Sequence, residues 1–309
     1  MVMQKKIGKT FVISFVFLMI LPAILTSYVG ATEAQKPSLS VGNYWAYGVE
    51  YLDPDSGIVT MNGTTTREII GESNVTIDTE LYECFVVKIE GSWQDATATV
   101  TWTLNGMIYL VKSDLCTVKE DMEITLIIGE EVTLNQISNV TYHSPLKECD
   151  FPLTEGKNWT VSTTKTETIT YPGEPPDTKT THVARNYTVG MTMDRVTVDA
   201  GTFDTFVIRY ATSDSIYEQY YSSGAGGNVM ELVYRRVDEQ LTTRMELMET
   251  NFIAPSGPLE WWVWLAIAII IVVAVGITYI FIIRMRKPST PSGTAKMALA
   301  ANFSSPSIF

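Results

Sequence analysis

Cysteine and histidine are scarce in this chain: three cysteines and two histidines occur in 309 residues. There is no Cys-x-x-Cys pair and no Cys/His grouping, which excludes a zinc site of ordinary spacing. There is no Gly-x-Ser-x-Gly elbow either, and His143-Ser144 alone does not make a triad. His182 has no partner at metal-ligand spacing. Positive charge is also short, with 22 Lys and Arg against 34 Asp and Glu and a net charge of −12. Such a surface repels phosphate backbones and argues against nucleic acid as a partner. Helical periodicity is missing from the middle of the chain, where Asp114 to Glu123 is the only weak candidate.

What the chain does have is one long apolar run. Trp261 to Ile283 carries no charge and exceeds the roughly 20 residues a helix needs to cross ~30 Å of hydrocarbon. Trp261, Trp262 and Trp264 crowd its start, and Arg284, Arg286 and Lys287 follow its end. Indoles favour the interface and cytoplasmic flanks are basic, so the pattern predicts one C-terminal transmembrane helix with the C-terminus inside. At the other end, Lys5, Lys6 and Lys9 precede an apolar stretch from Phe11 to Leu25 and the small residues Val29-Gly30-Ala31. This predicts a signal peptide over 1–31, cleaved after Ala31 or Ala34, or else an uncleaved anchor. Residues 254–260 read as a short Pro-containing linker, and 284–309 as a disordered cytoplasmic tail.

The basic residues set aside with the two ends are Lys5, Lys6, Lys9, Arg284, Arg286, Lys287 and Lys296. Removing them leaves fifteen Lys and Arg against 34 acids, so the exported middle is near −19. It carries Asn-x-Ser/Thr sequons at Asn62, Asn74, Asn139, Asn158 and Asn186, glycosylation candidates expected on surface loops and strand ends. Outside the cell a disulfide is expected, with Cys116–Cys149 the preferred pair and Cys84 left free.

The middle also repeats itself. Leu39-Ser40-Val41-Gly42-Asn43-Tyr44-Trp45 matches Leu153-Thr154-Glu155-Gly156-Lys157-Asn158-Trp159 in the pattern L-[ST]-x-G-x-x-W. Val75-Thr76-Ile77-Asp78 through Lys88 matches Val196-Thr197-Val198-Asp199 through Arg209 without a gap. A third match sets Gly106-Met107-Ile108 over Gly227-Asn228-Val229. These define two β units, 36–149 and 150–253. Dense Thr, Val, Ile and Tyr suit pleated strands. Asp53 to Gly57, Asn105-Gly106, Pro172 to Pro176 and Ser222 to Gly227 read as hairpin turns. The fold class expected is therefore all-β: two duplicated curved antiparallel sheets or incomplete barrels, with one C-terminal transmembrane helix.

Val196 to Phe206, containing Val198-Asp199-Ala200-Gly201-Thr202-Phe203, followed by Tyr220-Tyr221-Ser222-Ser223-Gly224-Ala225-Gly226, resembles the TapB-like group of exported β domains. The resemblance implies a curved antiparallel sheet or incomplete barrel like that of bacterial lipoprotein carriers, and implies no activity. It covers the second unit. The first unit has Thr79-Glu80-Leu81 where the group has Ala-Gly-Thr.

No residue set carries visible chemistry. Trp45 and Trp159 read as rings that bury one end of each sheet, with an aromatic contact to sugar or lipid as the functional alternative. Asp78 and Asp199 recur as turn-capping carboxylates. Asp53-x-Asp55-x-Gly57 opens like a calcium loop but has Thr64 where the bidentate Glu belongs. Gly224-Ala225-Gly226-Gly227 precedes a strand, so it lacks the helix a phosphate loop requires. No cofactor is expected. The functional expectation is a non-enzymatic, membrane-anchored surface protein that binds a partner protein, glycan or envelope component. The alternative is a carrier or sensor of an apolar ligand such as a lipid.

Overall fold

A computed structural model describes residues 33–191 and 194–252. The signal peptide expected over 1–31, the linker at 254–260, the Trp261–Ile283 span and the tail at 284–309 lie outside these residues. Among the described residues no helix is long and apolar enough to cross a membrane.

The chain runs through β1 (Glu33–Ala34), β2 (Tyr44–Leu52), β3 (Val59–Ile77), β4 (Glu80–Asp95), β5 (Val100–Val111), β6 (Thr117–Ile128) and β7 (Glu131–Leu146). It continues through β8 (Leu153–Thr154), β9 (Asn158–Thr170), β10 (Asp177–Val189), β11 (Asp194–Val198), β12 (Gly201–Ala211), β13 (Ser215–Ser222), β14 (Gly227–Arg235) and β15 (Gln240–Thr250). β1 pairs only with β8. The other thirteen form one sheet whose last strand, β15, pairs back onto β2. β10 and β11 lie end to end along β12, taking the place that the single long β3 takes beside β4. The result is a closed, antiparallel, up-and-down ring of twelve strand positions.

This corrects the expected fold class. The two halves are not separate curved sheets; each supplies six positions of one barrel. The seams are β7 with β9 and β15 with β2. The physical reason is edge pairing. Two open six-stranded sheets expose four rows of unpaired backbone groups, and joining them edge to edge removes every one.

The halves are alike in detail at their openings. Gly42 and Gly156 both sit at positive φ, 90° and 71°, which a side chain would strain. The next residue, Asn43 or Lys157, donates its backbone N–H to the carbonyl of Ser40 or Thr154, each at 3.1 Å. The third expected match fails: Gly106 lies inside β5, whereas Gly227 begins β14. Asn105-Gly106 is therefore not a turn. The chain reverses at Asp95–Thr99, where the Asp95 carboxylate accepts from the backbone N–H of Thr99 and Val100. Asp114–Glu123, the weak helical candidate, enters strand β6.

Alternation sorts each strand into two faces. Trp45, Tyr47 and Val49, Phe85, Val87 and Ile89, and Phe206, Ile208 and Tyr210 point inward and are buried. Outward positions hold ion pairs such as Lys88–Glu90 at 2.8 Å and Lys119–Asp121 at 2.7 Å. Threonine ladders such as Thr166–Thr180 and Thr168–Thr178 join β9 to β10. A charged and hydroxylated outer wall is that of a barrel standing in water, since lipid-facing walls carry an apolar band.

Candidate functional site

An eight-stranded barrel is about filled by its own side chains, so a ring of twelve leaves space. A cavity of about 190 Å³ lies within the rim where β2 begins and β15 ends. β2 supplies Trp45 and Tyr47, β3 supplies Arg67 and Ile69, and β4 supplies Val87. β5 adds Ile108 and Leu110, and β13 adds Tyr221. The connection between the halves contributes Glu148, Cys149 and Phe151, and the segment before β2 contributes Pro37 and Leu39. Pairing of β1 with β8 ties that segment to the connection, with Ala34 and Leu153 both buried.

The rim is clasped where the ring closes. Asn251 accepts from the Tyr44 backbone N–H and donates to the Gly42 carbonyl, both at 2.8 Å. Trp45 donates its indole N–H to the Ala225 carbonyl at 2.7 Å and stacks on Phe252 at 6.2 Å. Phe252 in turn fills the space beside Gly226, where a Cβ would meet its ring at 2.6 Å.

The wall carries few polar groups. The Arg67 guanidinium lies 5.3 Å from the Tyr47 ring centroid, and its Nε is sealed from solvent with no hydrogen-bond partner. Tyr47 is 2% exposed, and burial pushes its hydroxyl up to about 12. Glu148 pairs with Arg185 at 3.3 Å. Burial raises the Glu148 carboxyl above its ordinary range, against the pull of Arg185. Protein surrounds Glu148, yet 40% of its side chain is reachable by water, so it borders a wet chamber and the rise is smaller than a dry core would impose. Burial likewise raises the Cys149 thiol.

In the second half the lumen is lined by aromatic rings. Trp159 stacks on Tyr187 at 5.0 Å, Tyr187 meets Tyr210 at 4.8 Å, and Tyr210 stacks on Tyr217 at 4.6 Å. Arg185 lies over Tyr210 at 5.2 Å. Beside this stack run polar pairs: Lys165 with Glu167 at 3.1 Å and the Tyr142 hydroxyl donating to Glu120 at 3.0 Å.

The structure brings few of the expected site residues together. Trp45 forms part of the cavity wall; Trp159 joins the aromatic stack and donates to the Lys147 carbonyl at 3.1 Å. Asp78 and Asp199 occupy two-residue hairpin turns after β3 and β11, and Asp78 faces His143 at 3.2 Å. Asn62, Asn74, Asn139, Asn158 and Asn186 are all exposed; Asn158 is at a strand end, the first residue of β9, and the other four lie inside strands instead of loops. Cys84, Cys116 and Cys149 are free thiols in this structure, and only Cys149 lines the cavity. Asp53 accepts from the backbone N–H of Asp55 and Ser56, both at 2.9 Å, which commits its carboxylate to the turn. Among the described residues no three His, Cys, Asp or Glu side chains converge on a metal-sized site.

Sequence reasoning passed over Arg67, Glu148 and Tyr47, and met Tyr221 only as part of a hairpin motif. One signal for Arg67 was available: in Thr65-x-Arg67-x-Ile69 a charge falls at the inward position of the alternation.

No known protein family and no curated protein matches this chain. Among solved structures it is similar to a β-barrel-like protein of the domain of unknown function DUF1849 from Brucella abortus. The identity is 10% and the TM-score 0.42, over 72% of this chain and all of that one. It is also similar to a protein with a YmcC-like fold, described as exported, from Bacteroides fragilis. Here the identity is 9% and the TM-score 0.31, over 71% of this chain and all of that one. At these scores the two likenesses carry no functional argument, and the TapB-like resemblance remains one of short motifs.

Proposed function

We propose that the chain is an exported, non-enzymatic binding barrel that holds a small ligand in the cavity at the closing rim, as a carrier or sensor. The observation behind this reading is a cavity walled by both halves, largely aromatic and aliphatic, into which a few polar groups converge. Its volume of about 190 Å³ falls below the ~300–1,000 Å³ of drug-sized pockets, which favours a compact ligand over a full lipid. Two features support a role without catalysis. The Cys149 thiol is pushed up by burial, opposite to a nucleophile's direction. Asp78, Asp199 and His143 stand away from the cavity wall. Export and a place at the envelope rest on sequence features outside the described residues.

A second reading, docking of a partner protein or glycan, draws on Ile58, Val132 and Val237. These are exposed by 66%, 63% and 85%, and all belong to hairpins at the rim opposite the cavity. Solvent extraction of the purified full-length protein followed by mass spectrometry separates the two. A stoichiometric small molecule supports the carrier. A chain that carries none, and gains no thermal stability from any small apolar probe, refutes it and leaves the rim reading.

A further inference from the structure

Arg67 is the unanswered charge of the cavity wall. It stands on β3 between the buried Thr65 and Ile69, so the strand's alternation aims it into the lumen. Its guanidinium rests over Tyr47, and its Nε is shut off from water without a partner. Glu148, the carboxylate in the same wall, is already engaged by Arg185 at 3.3 Å. The sealed Nε is beyond a ligand's reach, but Arg67 lines the cavity, and a charge held there without a carboxylate partner is costly until a ligand supplies one. The guanidinium offers its donors in a fixed fork whose geometry suits a planar carboxylate.

The rest of the wall sets the other end of the ligand. Trp45, Ile108, Leu110 and Tyr221 present apolar and aromatic surface. A volume of about 190 Å³ equals the liquid share of roughly six waters at ~30 Å³ each. That suits a short chain or a single ring beside a headgroup better than a two-chain lipid. Resting on the carrier reading above, we infer that the cavity selects a small amphipathic carboxylate, its anionic head on the Arg67 fork and its apolar body against Trp45 and Tyr221.

The test is calorimetric titration of the full-length protein with three probes of one chain length: hexanoate, 1-hexanol and hexylamine. Hexanoate is expected to bind at least tenfold more tightly than either of the others. Arg67→Met, checked for its fold by circular dichroism, is expected to bring hexanoate down to the level of 1-hexanol and leave 1-hexanol unchanged. Arg67→Lys keeps the charge without the fork and is expected to fall between. The inference is overturned if the unaltered protein prefers hexylamine or binds 1-hexanol as tightly as hexanoate, a comparison that needs no variant. It is also overturned if Arg67→Met keeps the preference for hexanoate. Binding of 1-hexanol without that preference leaves the carrier reading standing and removes only the carboxylate. Binding of none of the three removes both.

Discussion

Gly106→Ala and Gly106→Asn together test where the chain turns. Gly106 lies inside β5 opposite Met122 of β6. A Cβ built there meets the Met122 Sδ at 2.4 Å and the Asp121 carbonyl oxygen at 2.5 Å. The thioether is the end of a flexible side chain and can swing away. The carbonyl belongs to the neighbouring strand and moves only with it. Real Cβ contacts essentially never fall under 3.0 Å, so β5 and β6 must separate locally by about half an ångström. Overpacking of this kind costs roughly 1–3 kcal/mol. With a urea dependence of ~1–3 kcal/mol/M, the unfolding midpoint should drop by about 1 M. Met122→Ala in the same background should recover only a minor part, because the backbone contact remains. Asparagine is the discriminating residue. Were Gly106 the second residue of a hairpin turn, Asn would tolerate the left-handed conformation there and cost little. In mid-strand its Cβ clashes as alanine's does. Urea unfolding followed by far-ultraviolet circular dichroism gives both numbers. A Gly106→Asn protein within about 0.5 kcal/mol of the unaltered chain would falsify the mid-strand assignment.

Two further outcomes are expected. Burial raises the Glu120 carboxyl above its ordinary value of 4.5, and the Tyr142 hydroxyl bond opposes this only in part. A raised carboxyl means the folded chain holds the proton more tightly than the unfolded one, so its contribution to stability declines as pH rises from 4.5 through the folded value. Glu120→Gln, which can still accept from Tyr142, should match the unaltered protein at pH 4 and gain on it by pH 7 in thermal melts; a gap that narrows with rising pH would contradict the burial argument. Trp45→Phe leaves the Ala225 carbonyl without its 2.7 Å donor in a site only 6% exposed, and should cost about 1–3 kcal/mol in urea unfolding. Trp159→Phe frees the Lys147 carbonyl where water can replace the donor, and should cost about 1 kcal/mol or less. Equal losses would show that the two repeats use their indoles alike.

Local chemistry was legible wherever a side chain acts on its own backbone. Gly42 and Gly156 marked the two openings because only glycine takes positive φ without strain. Asp53 to Gly57, Pro172 to Pro176 and Ser222 to Gly227 marked real hairpins between β2 and β3, β9 and β10, and β13 and β14. Asn105-Gly106 misled for a tertiary reason: the glycine serves the close approach of β6, which no neighbour in sequence reveals. Arg67 and Glu148 were invisible as neighbours because β3 and the connection after β7 lie far apart in sequence and line one cavity only once the ring closes.

By itself the sequence determined that the middle of this chain is built from strands, and it showed the same short patterns opening its two halves. Alternation and turn chemistry act over a few residues, so they can be read from a few residues. Only the tertiary structure decided that the halves share a single closed wall, that the ring is wide enough to leave a cavity, and that Arg67 faces it. Those outcomes depend on which sheet edges find each other. β2 meets β15 across nearly the whole length of the described chain, and backbone hydrogen bonds at that seam carry no signature in the side chains beside them.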